Sequence, residues 1–151
     1  MSDKIVVGTD GSETAGRALS EALRLAQALD AELHVVTAYK PLRGARISGA
    51  PEGAAKVWAP LPDSQAQSVI DDAASRVRMA GVEPHTHMLD RDPGDALVEV
   101  ADEIGATIIV VGNRGMSGAR RVLGSVPNKV SHAAHCHVMI VSTGRAPADP
   151  E

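Results

Sequence analysis

The stretch best equipped for chemistry reads Gly112-Asn-Arg-Gly115-Met-Ser-Gly-Ala-Arg-Arg-Val-Leu-Gly124-Ser125-Val-Pro127 and follows directly on Val110-Val111. Glycine has no Cβ, so a chain carrying it at Gly112, Gly115 and Gly124 can turn sharply and let a ligand rest on backbone N–H groups. Ser125 adds a hydroxyl where a helix is expected to begin, next to Val126 and Pro127, and oriented amides, a helix dipole and a hydroxyl together make a cradle for an anion. The spacing is neither that of a Walker A loop nor the Gly-x-Gly-x-x-Gly of dinucleotide folds. Asn113 and Arg114 lie inside the cradle, and Arg114, Arg120 and Arg121 are of a type that neutralises phosphate, although loop arginines are more often simply solvated. The plain alternative is a connecting loop, yet several glycines followed by a capping serine exceed the needs of a turn.

Gly8, Thr9 and Asp10 form a second candidate group, at the end of the apolar run Lys4-Ile-Val-Val-Gly8. An aspartate after a strand is either a ligand contact or a turn former, and its position alone does not choose between them. His132, His135 and His137 with Cys136 have the side chains of a zinc set. A helix-to-strand junction would have to fold His137 back on the others, and no Cys-x-x-Cys accompanies them, so no metal site is expected there. Cys136 reads as a small buried apolar residue.

The elements that must position these residues follow from hydrophobic spacing. Lys4 to Gly8 reads as a buried strand, and Ser12 caps a helix over about 13–29 whose apolar positions run from Ala15 to Leu29. Leu33–Ala38 is a second strand. From Tyr39 to Pro62 the chain is rich in Gly, Pro and Arg without a period, which predicts a long irregular loop, a flap over a site or a subunit contact, with Trp58 and Tyr39 either shielding the site or packing on their own domain. Ala66 to Ala80 marks a second helix, His85–Leu89 a third strand, and Ala96 to Ile104 a third helix ended by Gly105. Thr107–Gly112 is the strongest buried-strand signal. Ser125 is expected to cap a fourth helix reaching about His135, with Pro127 in its first turn, before a fifth strand at Val138–Val141. Alternating strands and helices predict an α/β fold: one domain, an open five-stranded parallel sheet and helices on both faces. Ligands of such sheets lie outside the carboxyl ends of the strands, where strand order reverses.

Composition narrows the function. The 151 residues, 44% of them hydrophobic, suit one domain, and the absence of Phe favours Val/Ile strands under Ala/Leu helices. A formal charge of −4 and no basic cluster argue against nucleic acid and anionic membrane. A single cysteine excludes an internal disulfide, and without a signal-like or membrane-length apolar run the expectation is a soluble cytoplasmic protein.

Val-Gly-Thr-Asp-Gly-Ser12, Val-Val-Gly-Asn-Arg-Gly115 and Gly124-Ser125-Val-Pro-Asn-Lys-Val130 resemble the universal stress protein family, and the likeness spans nearly the whole chain. It implies strand order 3-2-1-4-5, a domain over 1–143 and a disordered tail over 144–151. The ATP-binding subclass has Gly, two residues, Gly, nine residues, then Gly and Ser or Thr, whereas eight residues separate Gly115 from Gly124 here. The resemblance implies an adenine nucleotide such as ATP, with Mg²⁺: phosphates and ribose on Gly112, Gly115, Gly124, Ser125 and Val126, Asp10 by the ribose or the metal, and Gly8 and Thr9 beside it. The adenine-binding backbone maps onto Ala38, with Val36 or Thr37 as alternatives. It also implies a homodimer through Val138–Val141 and a regulatory role in stress response through ligand-linked conformational change. A cyclic AMP binder, a slow ATPase and a ligand-free dimeric interaction module are the alternatives.

Overall fold

The computed structural model describes residues 2–40, 61–113, 116–117, 120–121 and 124–142. Two strands buried on both sides form its centre. β1 (Lys4–Gly8) buries Ile5, Val6 and Val7 completely, and β5 (Ile108–Gly112) lies parallel to it with Ile5 opposite Ile108 and Val7 opposite Val110. Successive side chains point to opposite faces. Ile5, Val7 and Val110 therefore enter one core, and Val6, Ile109 and Val111 enter the other. This is why both segments read as continuous apolar runs.

On one side β1 pairs with β2 (Glu32–Lys40), which pairs with β4 (Pro84–Leu89), and on the other side β5 pairs with β8 (His137–Val141), every pairing parallel. The five long strands thus stand in the order β4-β2-β1-β5-β8, which in chain order is the expected 3-2-1-4-5. α1 (Glu13–Leu29) and α2 (Asp63–Met79) cover one face with Ala18, Leu19, Ala22, Ile70 and Val77, while α3 (Pro93–Ile104) and α4 (Ser125–Ala133) cover the other with Ala96, Leu97, Val100 and Val130. The expected Ser12 cap and the helix end at Gly105 are in place, and Asp92 adds a cap beyond those expected. Ser12 accepts a hydrogen bond from the Ala15 N–H at 3.2 Å, Asp92 does the same for Asp95 at the start of α3, and Gly105 ends α3 at φ 67°. Among the described residues no helix is long and apolar enough to cross a membrane.

Three details depart from the sequence expectation. β2 runs on through Tyr39 and Lys40, which pair with a two-residue strand β3 (Leu61–Pro62), so both ends of the expected irregular loop are strand; residues 41–60, Trp58 among them, lie outside the described residues. Inside the glycine loop β6 (Met116–Ser117) pairs antiparallel with β7 (Arg120–Arg121). α4 stops at Ala133, and its N-cap is Gly124, with Ser125 already the first helical residue. Pro127 still falls in the first turn, where a missing N–H is harmless. The tail expected over 144–151 lies outside the described residues.

Ile109 is fully buried between β1 and the α3 face. Ile109→Ala is expected to lower the unfolding free energy by about 3 kcal/mol, whereas Met79→Ala at an exposed position should change it by less than about 0.5 kcal/mol, both read by urea denaturation.

Candidate functional site

At the carboxyl end of β1 the chain makes a turn that is locked to β2. Thr9 donates its N–H to the Val36 carbonyl at 2.9 Å, and the buried Thr37 hydroxyl donates to the Thr9 carbonyl at 3.1 Å. The Gly11 N–H reaches Thr9 Oγ1 at 3.2 Å and the Ser12 N–H reaches Asp10 Oδ1 at 2.9 Å. Asp10 is therefore a turn former, exposed on the turn after β1. Gly11 sits at φ 82°, and a Cβ there would come within 2.9 Å of Val69 Cγ2, so the turn admits only glycine without strain. Gly8 is needed for closeness instead, since a Cβ on it would lie 3.1 Å from Leu97 Cδ2 of α3.

β5 ends beside this turn. Val111 is buried, Gly112 pairs with Val141, and the Asn113 N–H donates to the Val141 carbonyl at 3.0 Å. The N–H groups of Thr9 and Asn113 are thus used inside the sheet, so the donors for an anion must come from farther along the chain. α4 supplies such donors: its cap is Gly124, extended at φ −60° and ψ 164°, which has no side chain to satisfy the first N–H groups, and Ser125 is exposed beside it. Arg114 and Gly115 lie outside the described residues.

A feature without a sequence signal holds α4 in place. Lys129 Nζ lies 3.0 Å from Asp92 Oδ2 and 2.9 Å from Asp95 Oδ1, tying the second turn of α4 to the first turn of α3. These hydrogen bonds, Asp95's first and then Asp92's, raise the Lys129 pKa and keep its charge engaged with the start of α3. Gly94 is buried below them, where a Cβ would lie 2.9 Å from Lys129 Cδ.

On the other side of β1, Ala38 lies two residues beyond the last β1–β2 pair, Gly8 with Val36, and is paired with Leu89 of β4. The Val36 carbonyl is bonded to the Thr9 N–H and the Thr37 hydroxyl to the Thr9 carbonyl, and Thr37 and Ala38 lie past the last β1–β2 pair. Gly8, Thr9, Asp10, Val111, Gly112 and Asn113 thus gather on adjacent strand ends, with Ala38 flanking them. An open groove of about 980 Å³ runs nearby between α1 and β8, lined by Arg17, Arg76 and Met139 among others, and it shares only Gly11 and Ser12 with the turn after β1.

The four metal-type residues near the carboxyl terminus do not assemble. His135 Nδ1 shares a hydrogen bond with Asp102 Oδ1 at 3.1 Å, and Cys136 is half-buried against the α3 face, where burial pushes its thiol pKa up. Among the described residues they form no common donor set.

A profile described as the universal stress protein family matches residues 1–142. The chain is 40% identical over 145 residues to universal stress protein Rv1636 of Mycobacterium tuberculosis, covering 92% of this chain and 95% of that one. Its fold is similar to a crystal structure of a universal stress protein in complex with cAMP, at TM-score 0.70 and 34% identity over 95% of this chain and 98% of the other. It is also similar to a universal stress protein from Archaeoglobus fulgidus in complex with dAMP, at TM-score 0.67 and 28% identity over 91% of this chain and 96% of that one.

Thr37→Val keeps the shape of a fully buried side chain but leaves the Thr9 carbonyl without its donor. It is expected to lower stability by about 1 kcal/mol, by thermal or urea unfolding.

Proposed function

The chain belongs to the universal stress protein family, and from that premise we propose that it holds an adenine nucleotide across the carboxyl ends of β1, β2 and β5 and the amino terminus of α4, as a regulator rather than a rapid enzyme. The observation that carries the reading is the start of α4, capped by a residue without a side chain beside the switch between β1 and β5, in a chain similar to nucleotide-bound relatives. In this reading Gly112, Gly115, Gly124, Ser125 and Val126 meet phosphate and ribose, and Arg114 adds positive charge. Val111, Asn113, Gly8, Thr9 and Pro127 line the pocket, and the Ala38 backbone selects adenine.

With ATP as ligand, Asp10 is the residue suited to a phosphate-bound Mg²⁺, since it is an exposed carboxylate on the turn after β1. Magnesium there would offset phosphate charge. Rapid hydrolysis is not part of the reading, because a base must hold water against the γ-phosphate and Asp10 is exposed with one oxygen bonded to the Ser12 N–H. A second reading, cyclic AMP as the preferred ligand, is favoured by the cAMP-bound relative and by the eight residues between Gly115 and Gly124, which shorten the path available for a triphosphate.

The regulatory step is ligand-linked ordering of the glycine loop, read by a partner or by a second copy in stress response. Pairing of copies through β8 is part of the same proposal: Val138–Val141 lies in the edge strand, with Ile140 exposed at 39%. A cytoplasmic setting accords with one unpaired cysteine.

Calorimetry of the purified protein with ATP and Mg²⁺, ADP, AMP and cyclic AMP tests the reading. One site per chain is expected. Ser125→Ala should weaken it about tenfold, the scale of one hydrogen bond to a charged group. Ser125→Glu should abolish it while keeping the melting temperature, since an acid suits a helix amino terminus but repels phosphate. Tighter cyclic AMP than ATP selects the second reading. Binding of none of the four, or full affinity in Ser125→Glu and Gly115→Val, overturns both.

A further inference from the structure

At the opposite end of the sheet, β2 and β4 bring together four donor side chains that the nucleotide reading does not use. Strand alternation puts Glu32 and His34 on one face of β2 and His85 and His87 on the matching face of β4, and the register sets His34 against His85 and Val36 against His87. His34 is only 5% exposed. Its Nε2 lies 3.2 Å from Glu32 Oε2, and its Nδ1 shares a hydrogen bond of 2.9 Å with His87 Nε2. The His85 ring stacks on that of His34, centroids 4.5 Å apart and planes within 15°. The donor atoms of Glu32, His34 and His85 all lie within 4.8 Å of one another, and this is the group of three such residues found among the described residues.

We propose that Glu32, His34 and His85 bind a divalent transition metal with the chemistry of zinc, and that His87 orients His34. Two imidazole nitrogens and one carboxylate oxygen are a zinc donor set that leaves a fourth, open position. The separation of His34 Nε2 and Glu32 Oε2 already suits it: zinc–ligand bonds of about 2.0 Å at a tetrahedral angle put two donors about 3.3 Å apart. His85 is exposed on the edge strand, so its ring can turn out of the stack on His34 and aim a nitrogen lone pair, which lies in the ring plane, at the ion. In the loaded site His34 ligates through Nε2 and donates its Nδ1–H to His87 Nε2, the arrangement by which a second side chain fixes a ligand's tautomer. Zinc there ties the edge strand β4 to β2 by bonds additional to the sheet ladder.

The test uses the full chain after chelator treatment, with zinc measured by competition against a chromophoric chelator and by thermal unfolding with and without zinc. One Zn²⁺ per chain and a raised melting temperature are expected. His85→Asn and Glu32→Gln, both substitutions outside the buried core, should each weaken zinc binding at least tenfold and remove the thermal shift, with circular dichroism unchanged. Cys136→Ser and His135→Asn should bind zinc as the parent does. The proposal is overturned if the parent takes up no zinc, if uptake survives His85→Asn and Glu32→Gln, or if Cys136→Ser removes it. None of these outcomes depends on nucleotide binding.

Discussion

The parallel pairing of β1 with β5 is the constraint on which everything else rests. Ile5, Val6 and Val7 against Ile108, Ile109 and Val110 bury both faces of the sheet centre, so neither strand can slip by one residue without turning its side chains into the opposite core. The chain leaves β1 for β2 on one side and reaches β5 on the other, so the turn after β1 and the loop after β5 emerge next to each other and diverge. A crevice forms there as a consequence of strand order, before any particular side chain is placed.

Within that crevice the rigid parts and the donor parts are separate. The N–H groups of Thr9 and Asn113 and the Thr37 hydroxyl join β1 to β2 and β5 to β8, which fixes the strand ends but leaves those donors unavailable to a ligand. The start of α4 is where donors remain. Its position is set by α3, through Lys129 against Asp92 and Asp95 and through the side-chain-free surface of Gly94. Changes on the α3–α4 seam therefore move the cradle without touching a ligand, whereas changes at Thr37 act on the wall.

The sequence made the fold legible where burial has a local signature. Ile5–Val7 and Ile108–Val111 are continuous apolar runs, and Ser12 and Gly105 are punctuation whose mechanism lies within a few residues. Long-range pairing hid the rest. Tyr39 and Lys40 extend β2 only because Leu61 and Pro62 lie beside them, and Gly124 rather than Ser125 caps α4 because the helix starts one residue earlier than the serine alone suggests. For the candidate site, the strand ends at Gly8–Asp10 and Val111–Asn113 were readable from glycines and turn residues, but the engagement of Thr9 and Asn113 was not, since it depends on register with Val36 and Val141. The histidines show the same limit. His132, His135 and His137 are close in sequence yet do not converge, while His34, His85 and His87 meet although about fifty positions separate the first from the others.

β2 joins the two ends of this molecule. It begins with Glu32 and His34 in the donor cluster and passes Val36 and Thr37, which lock the turn after β1, before reaching Ala38 at the mouth. A metal bound at its start would fasten β2 to β4, and β4 pairs with β2 as far as Ala38 and Leu89. A single strand would then carry a cation clamp at its amino end and a wall of the nucleotide crevice at its carboxyl end, on the same rigid ladder. Such a clamp would restrain β2, while the start of α4 is held separately by Lys129.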